Sequence, residues 1–119
     1  MSITLTNPLL VAFNGVTQEN DTVGAVVSLD VDYLANVATY KFATGALLNG
    51  NLNPGTYGKT VLVTLNLTTG AWTDYNGHSG VLSGVAFTNL VAQLKGDRNQ
   101  AETFAAGASG ILPGTQVAW

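Results

Sequence analysis

The segment Gly77-His78-Ser79-Gly80-Val81 is the nearest this chain comes to a nucleophilic site. A serine hydrolase presents its nucleophile as G-x-S-x-G, on a turn sharp enough to expose the hydroxyl. Here Val81 stands where the last glycine belongs. The serine also needs a base that faces it. His78 is the single histidine and the immediate neighbour of Ser79, so on an extended chain the two side chains diverge. A polar turn between Trp72-Thr73-Asp74-Tyr75 and Val81 accounts for the same residues.

Carboxylates offer a second chemistry. Glu19, Asp21, Asp30 and Asp32 would meet if the loop 14–22 folded over the polar face of the strand after it. Calcium takes six to eight hard oxygen ligands, and loop carbonyls would have to complete such a set. The spacing matches no known calcium loop, and a solvated strand face explains the same acids. Neither a metal nor a cofactor is therefore expected. Acid–base catalysis needs shifted carboxylates in a cleft, which no sequence displays. Phosphate loops are absent, because the glycines are dispersed and no G-x-x-x-x-G-K-[ST] occurs. Asn20-Asp21-Thr22 and Asn66-Leu67-Thr68 fit the N-glycosylation pattern, which matters only in a secretory pathway. Lys95-Gly96-Asp97 reads more simply as a helix stop followed by a cap than as an adhesion tripeptide.

Aromatic residues carry the remaining binding chemistry. Trp72, Tyr75, Tyr57 and Trp119 lie in or beside polar turns, whereas Phe13, Tyr33, Phe42, Phe87 and Phe104 sit in apolar patterns. Flat rings beside Asp74 and Asn76 would suit a sugar, which wants a stacking face and fixed hydrogen-bond partners. The same residues suit the centre of a subunit interface. Core packing is the third reading of Trp72, and the register of its hairpin decides between them.

The elements that position these residues follow from composition and punctuation. Only 9% of the 119 residues are charged, against a typical ~25%, and there is no cysteine. Thr, Asn, Ser and fourteen glycines take the place of the missing charge. A chain of this length forms one core, so residues 1–119 are expected to make a single β-rich domain. Disorder is excluded by the 46% hydrophobic content. The net charge is −3, and only Lys95 and Arg98 of the four cations lie close together. Without a basic stripe, nucleic acid and anionic membrane are not expected partners. No apolar run approaches a membrane span and no leader is visible.

Asn14-Gly15, Asn49-Gly50, Pro54-Gly55, Thr69-Gly70, Asn76-Gly77 and Pro113-Gly114 mark turns. Between them, Val23 to Tyr33 alternates with period two and pairs with Val37 to Thr44 as a hairpin. Thr60 to Asn66 and Ala71 to Tyr75 form a second hairpin. A two-residue Thr69-Gly70 loop sets Leu67 against Trp72 on the core side, and a four-residue loop over 68–71 turns Trp72 outward. Ile3 to Thr6 and Leu9 to Val16 read as strands broken by Asn7-Pro8. Helical spacing begins at Phe87, with Thr88 as N-cap and Gly96 as a left-handed stop. Asp97 and Gln100 then resemble a capping box, opening a second helix that Gly107 ends. Thr115 to Trp119 reads as a last strand. The expected fold is an antiparallel β-sandwich or open barrel with a helical insertion at about 88–106.

Two functions fit. The first is a non-enzymatic structural subunit that assembles with its own copies or decorates a larger protein lattice. Few charges mean little desolvation cost when several faces are covered. The edges at Ser2 to Thr6 and Gln116 to Trp119 carry neither Lys nor Pro to block strand addition. Virion decoration or fibre proteins and extracellular filaments share this composition, an analogy that places the chain in a virion or at an extracellular surface. The second is a carbohydrate-binding module with Trp72, Asp74, Tyr75 and Asn76 as its platform.

Overall fold

The computed structural model describes residues 2–107 and 111–117. Among the described residues, seven strands, β1 (Ile3–Phe13), β2 (Val16–Asp32), β3 (Val37–Leu48), β4 (Asn51–Pro54), β5 (Thr60–Asn66), β6 (Ala71–Asp74) and β7 (Ser79–Val81), precede one helix, α1 (Gly84–Gly107). The strands form a single antiparallel sheet in the order β1-β2-β3-β5-β6-β7, with β4 also paired to β3. The sheet curls into an open half-barrel, so the class is mainly antiparallel β with one C-terminal helix. The chain divides into two compact units, 1–81 and 82–119.

Alternating residues build the central hairpin. β2 and β3 pair from Val23↔Gly45 to Asp32↔Val37, through a bulge at Val27. The turn between them is held by Asp32, whose Oδ1 accepts the N–H groups of Leu34 and Ala35 at 3.0 Å each. Asn36 then takes a left-handed φ of 57°, a conformation that asparagine tolerates. The bulge interrupts the expected alternation, and Val26, Val27 and Leu29 are all exposed.

The second hairpin adopts neither expected register. Leu65 faces Trp72 and the loop spans residues 67–70. Asn66 dictates this, because its side chain accepts the N–H groups of Thr68 and Thr69 while its carbonyl accepts that of Gly70. A row of cross-strand neighbours results: Val31, Ala38, Leu65, Trp72 and Gly80. Neighbours in such a row share a face. Ala38 and Leu65 are buried, Trp72 is half-buried, and its ring lies so close over Gly80 that a Cβ there would stand 2.8 Å from Trp72 Cζ2.

At the N-terminus the expected break at Asn7-Pro8 is a bulge within one strand. Ile3 and Thr4 pair with Gly24 and Val23, and pairing resumes at Leu9↔Asp21. An edge strand tolerates proline because one side of it has no ladder to interrupt. Val16 belongs to β2, since Asn14 and Gly15, with φ of 52° and 75°, close a two-residue turn between Phe13 and Val16.

In the C-terminal unit, one helix replaces the two expected. Gly96 is not left-handed and stands inside the helix with Asp97. A glycine costs only ~1 kcal/mol there, and good helix formers surround it. Thr88 is no cap, because the helix begins at Gly84, whose carbonyl accepts the Thr88 hydroxyl at 3.1 Å. At the other end the carbonyls of Ala105 and Ala106 accept the N–H groups of Leu112 and Gly114. The expected last strand is absent over residues 115–117, and Ala118 and Trp119 lie outside the described residues.

Candidate assembly surface

Two hairpin arms leave the same end of the sheet. β2 and β3 run antiparallel and their pairing stops at Val23↔Gly45. Beyond that rung β2 pairs only with β1, from Leu9↔Asp21 to Phe13↔Val16, and β3 pairs with β4, from Gly45↔Pro54 to Leu48↔Asn51. Each arm ends in an Asn-Gly turn with both residues at positive φ, Asn14-Gly15 and Asn49-Gly50. That turn type matches the right-handed twist of the flanking strands. At ~3.4 Å per residue the first arm reaches roughly 24 Å beyond that rung and the second roughly 10 Å.

A polar knot braces the arms at their root. The chain after β4 turns at Gly55 to Gly58 and crosses β3 toward β2. It can do so because Gly45 carries no side chain and the Asn53 carbonyl occupies the place of a Cβ. The Glu19 carboxylate accepts the Tyr57 N–H at 2.8 Å, and Asp21 Oδ2 accepts the Thr44 hydroxyl at 2.9 Å. Thr44 Oγ1 in turn accepts the Lys59 N–H at 2.8 Å, and the Thr44 carbonyl accepts the Gly55 N–H. Asp21 is only 2% exposed, although it lies in a segment expected to be solvated. Gly55 and Gly58 make this possible, since a Cβ on either would strike the carboxylates.

Beyond the knot, the arms carry apolar side chains into solvent. Leu10, Phe13 and Val16 on the first arm and Leu47 and Leu48 on the second are 49–69% exposed. Outward of Glu19 and Asp21 neither arm bears a charged side chain, for none occurs in residues 2–18 or 42–58. Glu19, Asp21 and Lys59 stand at the boundaries of those two stretches. An isolated two-stranded ribbon is at best marginally stable in water, so apolar cover is the stabilising element these arms lack.

No protein-family model, curated protein or solved structure matches the chain.

The residues singled out from sequence fall in three places. Trp72 is held in the sheet row described above. Asp74, Tyr75 and Asn76 lie at the β6–β7 turn, where Asp74 Oδ1 accepts the N–H groups of Asn76 and His78 at 2.9 Å each. The His78 ring completes the turn against Asp74 Oδ2 at 2.9 Å, so both carboxylate oxygens are used locally and His78 is turned to Asp74. Burial pushes the Asp74 carboxyl upward, but the hydrogen bonds from His78 and Asn76 and the His78 charge together hold it below its usual value. Tyr75 is 79% exposed beside this turn. Tyr57 is an exposed member of the knot's loop, ahead of β5, whereas Trp72 faces the far end of β5. Trp119 lies outside the described residues.

The four carboxylates do not gather. Asp30 pairs with Thr39 and Asp32 caps the turn at the opposite end of β2 from Glu19 and Asp21. Among the described residues no group of three or more His, Cys, Asp or Glu is placed to hold a metal ion. The C-terminal unit has a cleft of about 640 Å³ lined by Lys95, Arg98, Asn99, Gln100, Thr103 and Gln116. Its walls bond to one another: the Thr103 hydroxyl donates to Gln116 Oε1 and Gln116 Nε2 donates to the Asn99 carbonyl. Sequence reasoning missed Leu10, Phe13, Val16, Leu47 and Leu48 as surface residues. The signal that could have found them is the pair of charge-free stretches, each containing an Asn-Gly turn.

Proposed function

We propose that the protein is a non-enzymatic structural subunit that assembles with copies of itself through the arm-bearing end of its sheet. The observation that carries this reading is the pair of arms whose uncharged outer parts project apolar side chains past the last β2–β3 rung. Fully burying a large aliphatic or aromatic side chain is worth about 1.5–3 kcal/mol. Covering the exposed parts of five such residues therefore returns roughly 5 kcal/mol per copy, an appreciable share of what association costs. No ionic group lies outward of Glu19 and Asp21, whose carboxylates are already hydrogen-bonded within the knot. The arms start from a fixed direction, because the knot around Asp21 ties one root to the other. A repeating structure such as a virion surface or an extracellular filament is the setting we propose, on composition alone. A glycan platform draws less support, since Asp74 is committed to its own turn and Trp72 to its row.

Size-exclusion chromatography with light scattering, followed by electron microscopy of any heavy fraction, tests the reading. The expected mass is a multiple of the 12.3 kDa chain. A particle that stays at 12.3 kDa at every concentration overturns it.

A further inference from the structure

We infer that the first arm docks on a second copy of the chain by antiparallel addition of β1 to its counterpart, about a two-fold axis near Val11. This deepens the assembly reading and rests on it. β1 is an edge strand whose outer side has no partner within the sheet. Its segment Leu9-Leu10-Val11-Ala12-Phe13 is five consecutive apolar residues, with neither charge, proline nor glycine among them. Such an edge is the template for strand pairing that monomeric proteins blunt with Lys, Pro or a bulge. Here Pro8 and the first bulge lie before Leu9, and the second irregularity, between Val11 and Ala12, places its extra residue Gln18 on β2, so the outer side of the segment itself is unguarded.

Three observations select a second copy as the occupant. The first is edge length. β7, the other end of the sheet, offers three residues, and β4 offers four that end in Pro54. Pairing the Leu9–Phe13 segment with either would leave part of it unmatched, whereas about an axis at Val11 its five residues pair with their own counterparts, Leu9 with Phe13 and Leu10 with Ala12. The second is charge. A strand with no ionic side chain from Ser2 to Gln18 attracts no oppositely charged partner and does not repel itself. Glu19, opposite Val11 on β2, would stand three strand spacings from its counterpart, about 14 Å. That exceeds the ~8 Å screening length at physiological salt, so like charges do not oppose the pairing. The third is symmetry. Antiparallel pairing of identical strands is self-complementary and closes as a dimer, leaving the second arm for further contacts.

The absence of cysteine makes a clean test available. Single variants Leu9→Cys, Leu10→Cys, Val11→Cys, Ala12→Cys and Phe13→Cys are oxidised in the full chain, with Val81→Cys on β7 as reference. Directly opposed residues of an antiparallel pair have Cα atoms about 4.5–5.5 Å apart, within reach of a disulfide. In a two-fold pair only the residue at the axis faces itself. The expected result is one peak, at Val11, with dimer forming at least about tenfold faster than for Val81→Cys, as the effective concentration of a docked pair implies. A flat profile at the Val81→Cys rate, in a chain whose mass is still a multiple, overturns the β1 pairing and leaves assembly standing. Equal cross-linking at all five positions means a parallel in-register stack and also overturns it. A monomeric mass with no cross-linking removes both readings.

Discussion

The two ends of the sheet solve the same problem in opposite ways. At the end formed by the 33–36 turn and the 67–70 loop, polar groups are satisfied within the chain. Asn36 Nδ2 donates to Thr68 Oγ1 at 2.6 Å and the Leu67 N–H donates to the Asn36 carbonyl, tying the two connections together. Leu65 and Leu67 are buried behind them. At the arm end, satisfaction stops at the knot, and the chain continues for several residues with side chains that prefer to leave water. One end supplies the stability of the isolated unit, and the other offers what a neighbour can cover. A compact polar knot separates the two regimes.

Breaking the closed end has the largest expected effect. Leu65→Ala should cost ~2–5 kcal/mol, the range for a buried leucine, measured by denaturant unfolding. Next is the knot. Gly55→Ala places a Cβ 2.5 Å from Asp21 Oδ1 and against Glu19, so it should cost ~1–3 kcal/mol as an overpacked site. It should also speed amide exchange across both arms, which an ordinary core mutation would not do selectively. Charging the tips is expected to separate the two ends most sharply. Phe13→Lys with Leu48→Lys should change unfolding free energy by less than about 0.5 kcal/mol per site, as exposed positions do, while reducing the light-scattering mass to that of one chain.

The smallest effect belongs to the Asp74 turn. Its carboxyl is held below the ordinary value, so the folded state binds fewer protons there than the unfolded chain. The stabilisation is then complete above the unfolded value near 4 and is lost as pH falls through the lower folded value. Melting temperatures measured from pH 5 downward should fall more steeply for the wild type than for Asp74→Asn. Parallel curves would remove this contribution.

Much of the closed end was legible in the sequence, and little of the arm end. Alternation from Val23 to Tyr33 and the Asn-Gly pairs found the central hairpin and both arm tips, because each depends on local chemistry. The 67–70 loop is set locally, by an Asn66 side-chain cap that the Thr69-Gly70 turn signal does not show, whereas the bulge at Val27 and the continuous strand through Pro8 depend on partners distant in the chain. The burial of Asp21 is the clearest case. An acid two residues from another acid reads as solvated, and only the passage of Asn53 and Pro54 over Gly45, with Gly55 and Gly58 against the carboxylates, makes it a core residue. Gly96 failed as a stop because a single glycine costs too little to end a helix of good formers. Exposure of the tips was invisible for a related reason: Leu10, Phe13 and Leu48 look like core until the strand on their far side is seen to be missing.

Amide hydrogen exchange at low and high protein concentration compares the two ends directly. The account predicts that amides around Ala38, Leu65 and Leu67 are protected at both concentrations, whereas those of Leu9 to Phe13 and Gly45 to Leu48 gain protection only at the higher one. Arm amides that exchange at the same rate at both concentrations would contradict it.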